Sequence, residues 1–265
     1  MRSKILSARD FAGRKTTIYK QEIMETLDII AVGAHPDDCE IGCGGTLAAL
    51  AKSGLKVGII DLTDGEPTPG SPSPDVRVAE AHAAAKTLGI AKRVILDLPN
   101  RRLFDSFEAR VALAKQFRIF KPRLVIGLGE KTPTASPDHW QAAQITDAAV
   151  FYSRLTKWDE HFDGLPVHKI ERQIYYSLMQ ESGVIGTGPK QFVHDITDFH
   201  QQKMAAIKCY ATQFPAEKAY VFDKVRAMDS IAGIAAGFEF GEVFTSTKSV
   251  GSRDLCATLQ LDDLA

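Results

Sequence analysis

The chain has 265 residues, with 32 Lys and Arg against 33 Asp and Glu and a formal net charge of −1. At 45% hydrophobic and 25% charged it has a globular composition and is not a disordered chain. The balanced charge gives no broad electrostatic field with which to hold nucleic acid or an anionic membrane, so neither is expected as a partner.

No apolar run approaches the roughly 20 residues that span a bilayer. The N-terminal stretch MRSKILSARDFAGRKTTIYK carries charges but no apolar block of signal-peptide length, so residues 1–26 read as an arm ahead of the first strand. A cytoplasmic protein is the expectation. The four cysteines, Cys39, Cys43, Cys209 and Cys256, include no CxxC pair. They read as reduced and mostly buried small hydrophobes.

In chain order, Leu27–Val32 is a short apolar, β-branched run, followed by helical spacing over Gly44–Ser53 and a stop at Gly54. Val57–Leu62 is a second strand, and the prolines from Pro67 to Pro74 mark a surface loop. A helix over Asp75–Leu88 ends at Gly89, Val94–Leu98 is strand-like, and Ser106–Phe120 is an amphipathic helix stopped near Pro122. Leu124–Leu128 is another buried strand, and Asp138–Tyr152 a helix starting just after Pro137. This rhythm predicts an α/β fold, Rossmann-like, with a mostly parallel sheet and helices on both faces. After Gly164 the pattern weakens: Ile174–Met179 and Val193–Ile196 look like strands, Phe199–Gln213 and Tyr220–Ala232 like helices. The absence of a linker or repeat makes 1–265 one domain with an elaborated C-terminal part.

The first strand runs directly into Ala34-His35-Pro36-Asp37-Asp38, at the strand end where α/β enzymes place their chemistry. Ser136-Pro137-Asp138-His139 opens a later helix. If both loops share one sheet edge, His35, Asp38 and His139 form a two-histidine, one-carboxylate set with a coordination position left for water on Zn²⁺. Asp37 is then a free carboxylate able to take a proton from that water. Either string alone also reads as a turn or helix cap, and Asp138 before a helix is a natural cap. Gly42-Cys43-Gly44-Gly45 suggests a dinucleotide loop with Asp61 as the ribose acid. That fingerprint fails at Leu47, and the glycines instead suit close helix–strand packing.

The string AHPDDCEIGCGGT, with Pro137-Asp138-His139 downstream, resembles the PIG-L/LmbE-like family of zinc-dependent N-acetylglucosamine deacetylases. The likeness continues through VGIIDLTDGE, Arg77-x-x-Glu80, LPNRRL, FKPRLVIG, DITDFHQQKMAAIKCYATQF and FEFGEVF. Within the family it is most similar to the branch acting on N-acetylglucosaminyl-malate in bacillithiol synthesis. The resemblance implies one Zn²⁺ on His35, Asp38 and His139, Asp37 as general base, and Arg77 as a substrate-binding arginine. It further implies Tyr220 as a tyrosine steadying the oxyanion, and Arg101 and Ser136 as substrate-side residues. A small amino-sugar substrate and a trimeric or hexameric homo-oligomer are implied as well.

Ser136 departs from the family, whose relatives usually read His-Pro-Asp-His there. A hydroxyl donates a hydrogen bond but is no acid of near-neutral pKa. His161, His168, His194 and His200 are the histidines whose positions sequence leaves unplaced; His194 reads as packed or superficial. Two rivals to the deacetylase reading stand. One is an amidase on another N-acyl or thiol-sugar conjugate, and the other is a metal- or sugar-binding protein weakened in catalysis by Ser136.

Overall fold

The computed structural model describes residues 26–129, 131–132, 134–178 and 190–253, together with strands β1 (Ala8–Arg9) and β2 (Lys15–Thr16), which pair in antiparallel. The chain continues through β3 (Ile29–Gly33), α1 (Asp38–Lys52), β4 (Val57–Asp61), α2 (Pro74–Leu88), β5 (Lys92–Ile95), α3 (Phe107–Phe120), β6 (Leu124–Leu128) and α4 (Asp138–Tyr152). Beyond these come β7 (Arg172–Tyr176), β8 (Gln191–Asp195), α5 (His200–Ile207), α6 (Tyr220–Ala235) and β9 (Gly241–Ser246).

Seven strands make one sheet in the order β5-β4-β3-β6-β7-β9-β8. β5, β4, β3, β6 and β7 run parallel, and β9 lies antiparallel to both β7 and β8. All five residues of β3 and of β4 are buried, which is why these strands read as continuous apolar runs without alternation. From β3 the chain steps outward to β4 and β5, then returns so that β6 pairs with the other side of β3. The strand order therefore reverses between β3 and β6, opening a crevice at their carboxyl ends. α1 packs on α2 and α5, and α3 on α4. With right-handed crossovers, that reversal places the two helical groups on opposite faces. Among the described residues no helix is long and apolar enough to cross a membrane.

Several element bounds differ from expectation for physical reasons. α1 begins at Asp38, not at Gly44, because the glycine-rich segment is helix with a kink at Cys43 (φ −149°, ψ 18°). Glu242 from β9 accepts hydrogen bonds from Gly45 N (2.9 Å) and Thr46 N (2.8 Å), capping the helix beyond the kink. The glycines serve packing: a Cβ at Gly42 would strike the Tyr176 ring, and one at Gly45 would come within 2.8 Å of Ile196. β9 was not expected as a strand, since its buried Glu242 interrupts the apolar pattern that marks one. α5 stops at Ile207 instead of reaching Gln213, and α6 runs three residues past its expected end at Ala232. β5, β7 and β8 each begin about two residues earlier than expected. Met179 and Cys256, like most of the N-terminal arm, lie outside the described residues.

Candidate metal centre

β3 delivers the chain to the crevice at Ala34 and His35. Asp38 Oδ2 accepts from Ala34 N (2.9 Å) and His35 N (3.0 Å), so the loop closes on the first residue of α1. Between them Asp37 adopts a left-handed backbone, φ 112°, which is uncommon for a residue with a Cβ and costs on the order of 1–3 kcal/mol. Arg77 from α2 holds this turn: its Nη2 donates to Pro36 O and, at 3.1 Å, to Asp37 Oδ2. The strained backbone aims two adjacent carboxylates differently, Asp38 back under the loop and Asp37 towards Arg77.

β6 and the loop after it bring the second cluster. His139, in the first turn of α4, places Nε2 3.3 Å from Asp38 Oδ1, while its Nδ1 meets Thr132 Oγ1 at 2.8 Å. His35 has Nδ1 3.7 Å from Asp38 Oδ2, and its Nε2 meets Asp138 Oδ2 at 3.2 Å. One ligand atom from each of His35, Asp38 and His139 lies within 4.8 Å of the others, and no second cluster of this kind occurs among the described residues. Each imidazole thus has one nitrogen committed to a neighbour and the other available beside Asp38, the arrangement by which outer partners orient metal ligands.

The electrostatics agree with this geometry. Burial would raise Asp38, but the charges and hydrogen bonds of His139 and His35 hold its carboxyl well below the usual carboxylate range. Burial works against the charged form of His139, yet Asp38 outweighs it and lifts the imidazole above its ordinary value. Asp37 is different: burial pushes it up to about 6, against the pull of Arg77. A buried ionised carboxylate between two imidazole nitrogens fits a divalent cation, and an O/N donor set of this kind suits zinc.

Asp37, Arg77, Arg101 and Ser136 line the same cavity as the three candidate ligands, together with Thr68, Asn100, Gln213 and Phe214. Arg77 is almost completely buried, whereas Arg101 is exposed and has φ 61°, its N donating to Asp138 Oδ2 at 2.6 Å. Ser136 Oγ accepts from Asp138 N at 3.3 Å. Tyr220 is not brought to this cavity: it stands 63% exposed at the start of α6 and lines a neighbouring one.

None of His161, His168, His194 and His200 lines the metal-centre cavity beside Ser136. His161 packs on Phe107, His168 Nε2 meets Pro122 O at 2.7 Å, His194 Nδ1 meets Thr46 Oγ1 at 3.0 Å, and His200 stacks on Phe240. Asp61, the acid of the rejected dinucleotide fingerprint, is fully buried and gripped by Arg93 through Nε (2.7 Å) and Nη2 (2.9 Å), which agrees with that rejection. The reading of Asp138 as a cap is corrected. Pro137 occupies the cap position, and the Asp138 carboxylate instead joins His35 to the Arg101 backbone. Its sequence signal was its place directly before a ligand histidine; Thr132, in an irregular loop, carried none.

The family model described as PIG-L, GlcNAc-PI de-N-acetylase, matches residues 30–150. Diacetylchitobiose deacetylase of Thermococcus kodakarensis is 29% identical over 224 residues, covering 81% of this chain and 78% of that protein. Among solved structures, the conserved protein TT1542 of Thermus thermophilus is 33% identical with a TM-score of 0.74, covering 86% of this chain and 97% of the other. N,N'-diacetylchitobiose deacetylase of Pyrococcus horikoshii, solved with an inhibitor, is 26% identical with a TM-score of 0.72, covering 87% of each chain. The matched segment, residues 30–150, holds both clusters of the site, and with these relatives it places the chain in the PIG-L, LmbE-like family of deacetylases.

Proposed function

We propose that the protein is a zinc-dependent N-deacetylase that hydrolyses the acetamide of a small N-acetylglucosamine-bearing molecule. The observation that carries this reading is the meeting of His35, Asp38 and His139 with the separate carboxylate of Asp37 on one cavity. Zinc held by the three ligands would act as a Lewis acid towards the acetamide carbonyl and lower the pKa of water. Asp37 carries the proton. It takes one as water attacks the carbonyl carbon and passes it to the departing nitrogen, so that amide and water become acetate and amine.

Arg77 steadies Asp37 through Nη2 and keeps two buried nitrogens, Nε and Nη1, without a partner, which supports a substrate-binding role. Arg101 and Ser136 offer donors from the cavity wall. An oxyanion role for Tyr220 requires its ring to move out of the neighbouring cavity. Acetate release should be lost with a chelator and restored by zinc, on a panel that includes N-acetylglucosaminyl-malate and other N-acyl glucosaminides. Chelator-insensitive turnover would overturn the reading. Stoichiometric zinc with no turnover on the panel would select the weakened sugar-binding protein that Ser136 favours.

A further inference from the structure

We propose that Gln213 is a substrate-binding residue whose side-chain carbonyl accepts a hydrogen bond from one hydroxyl of the amino sugar; this rests on the deacetylase reading and deepens it. Gln213, in the turn after α5, and Thr68, in the loop between β4 and α2, both line the metal-centre cavity. Gln213 Nε2 donates to Thr68 Oγ1 at 2.9 Å and to Thr212 Oγ1 at 3.2 Å.

Which end of an amide faces its neighbours follows from what those neighbours can still give or take. Here they leave one choice. The Glu66 carboxylate accepts from Thr68 N (2.9 Å) and from Thr68 Oγ1 (2.9 Å). Glu80 on α2 holds Thr212 in the same way, through its N (2.8 Å) and its Oγ1 (2.6 Å). A hydroxyl has one hydrogen, and each threonine has given it to a carboxylate. Both Oγ1 atoms can then only accept, so the amide end that meets them is the nitrogen. Its two hydrogens are both used, and among the described residues no donor reaches Oε1. Oε1 is therefore a neutral acceptor held by two loops on the wall of the cavity. Arg77 and Arg101 on the same wall are donors only. A sugar hydroxyl gives one hydrogen bond and takes another, which suits a wall that offers both. A ligand without a donor at that position leaves Oε1 unpaired.

The test is acetate release by the zinc-loaded protein from N-acetylglucosaminyl-malate and methyl N-acetylglucosaminide, each also prepared without its 3-, 4- or 6-hydroxyl. For wild type, loss of one of these hydroxyls should lower kcat/KM on the order of 10- to 100-fold, mostly through KM. Gln213→Met should bring that parent-to-analogue ratio to within about twofold of one and leave the other ratios unchanged. A merely structural role would slow parent and analogues alike and preserve every ratio. Should Gln213→Met not fold, Thr68→Val decides: it removes one of the two oxygens that hold the amide and should lower the same ratio. Wild type with no penalty for any analogue, or ratios that the variant leaves intact, overturns the assignment of Gln213 only. Absence of acetate from both parents and every analogue overturns the deacetylase reading as well.

Discussion

Two adjacent aspartates have separate tasks in the proposed chemistry, and the left-handed backbone at Asp37 is what turns their side chains apart. Asp38, held ionised between two imidazoles, suits the proposed metal; Asp37, pushed up to about 6 by burial, is the proton carrier of the proposed reaction. Asp37→Asn should therefore lower kcat about 10²- to 10⁴-fold while leaving one zinc bound per chain, read by acetate release and metal analysis. A variant with full turnover would remove Asp37 from the proton path. Asp138 acts through its neighbours. Asp138→Ala frees His35 Nε2 and should weaken zinc affinity about 10- to 100-fold in competition with a chromogenic chelator. Unchanged affinity would mean that the 3.2 Å contact does not orient the ligand. His35, Asp37 and Asp38 were legible as candidates in a short motif directly after a strand, and His139 in a Pro-Asp-His string that opens a helix. The partner of His35 was not, since an aspartate at a helix start has an ordinary local explanation as a cap.

At the scale of elements, α1 depends on a residue almost 200 positions away. The kink at Cys43 opens two backbone donors, and Glu242 of β9 accepts both while also pairing with Lys203 of α5. Glu242→Ala removes the cap and leaves Lys203 with Asp229 alone, so it should lower the unfolding free energy by about 3–5 kcal/mol in urea titrations. Burial opposes the charge on Lys203, but Asp229 and Glu242 outweigh it and raise its pKa above the ordinary 10.5. A base raised on folding contributes stability that is complete below its unfolded pKa and is lost as pH climbs through its folded one. The stability gap between wild type and Lys203→Met should accordingly be constant up to pH 10.5 and narrow above it. A gap that widens in alkali would reverse the sign assigned to this group. β9 escaped sequence reading for the reason that makes it important, a buried acid in the middle of a strand.

Across the whole molecule, the candidate metal ligands come from both sides of the point where strand order reverses: His35 and Asp38 follow β3, and His139 follows β6. A cation held there would tie the two halves of the parallel sheet together, and the three residues are brought within reach of one another only by folding. Saturating zinc at 100 times its Kd should add about 2.7 kcal/mol to stability, seen as a rise in Tm that a chelator abolishes. An unchanged Tm on zinc addition would show that the cluster does not hold the ion.

What the sequence determined by itself was the parallel βαβ core and the residue types of the site, because buried strands, helix stops and a His-Pro-Asp-Asp string are local patterns. It also predicted that His35, Asp38 and His139 belong together, on the condition that two loops share an edge. Only tertiary structure decided that condition, through the pairing of β3 with β6. Tertiary structure also tied Asp138 to His35, sent Tyr220 to a neighbouring cavity, and set Glu242 against a kinked helix. Each of these is a meeting of residues distant in the chain, and a contact made by strand order and packing leaves no periodicity in the segments that make it.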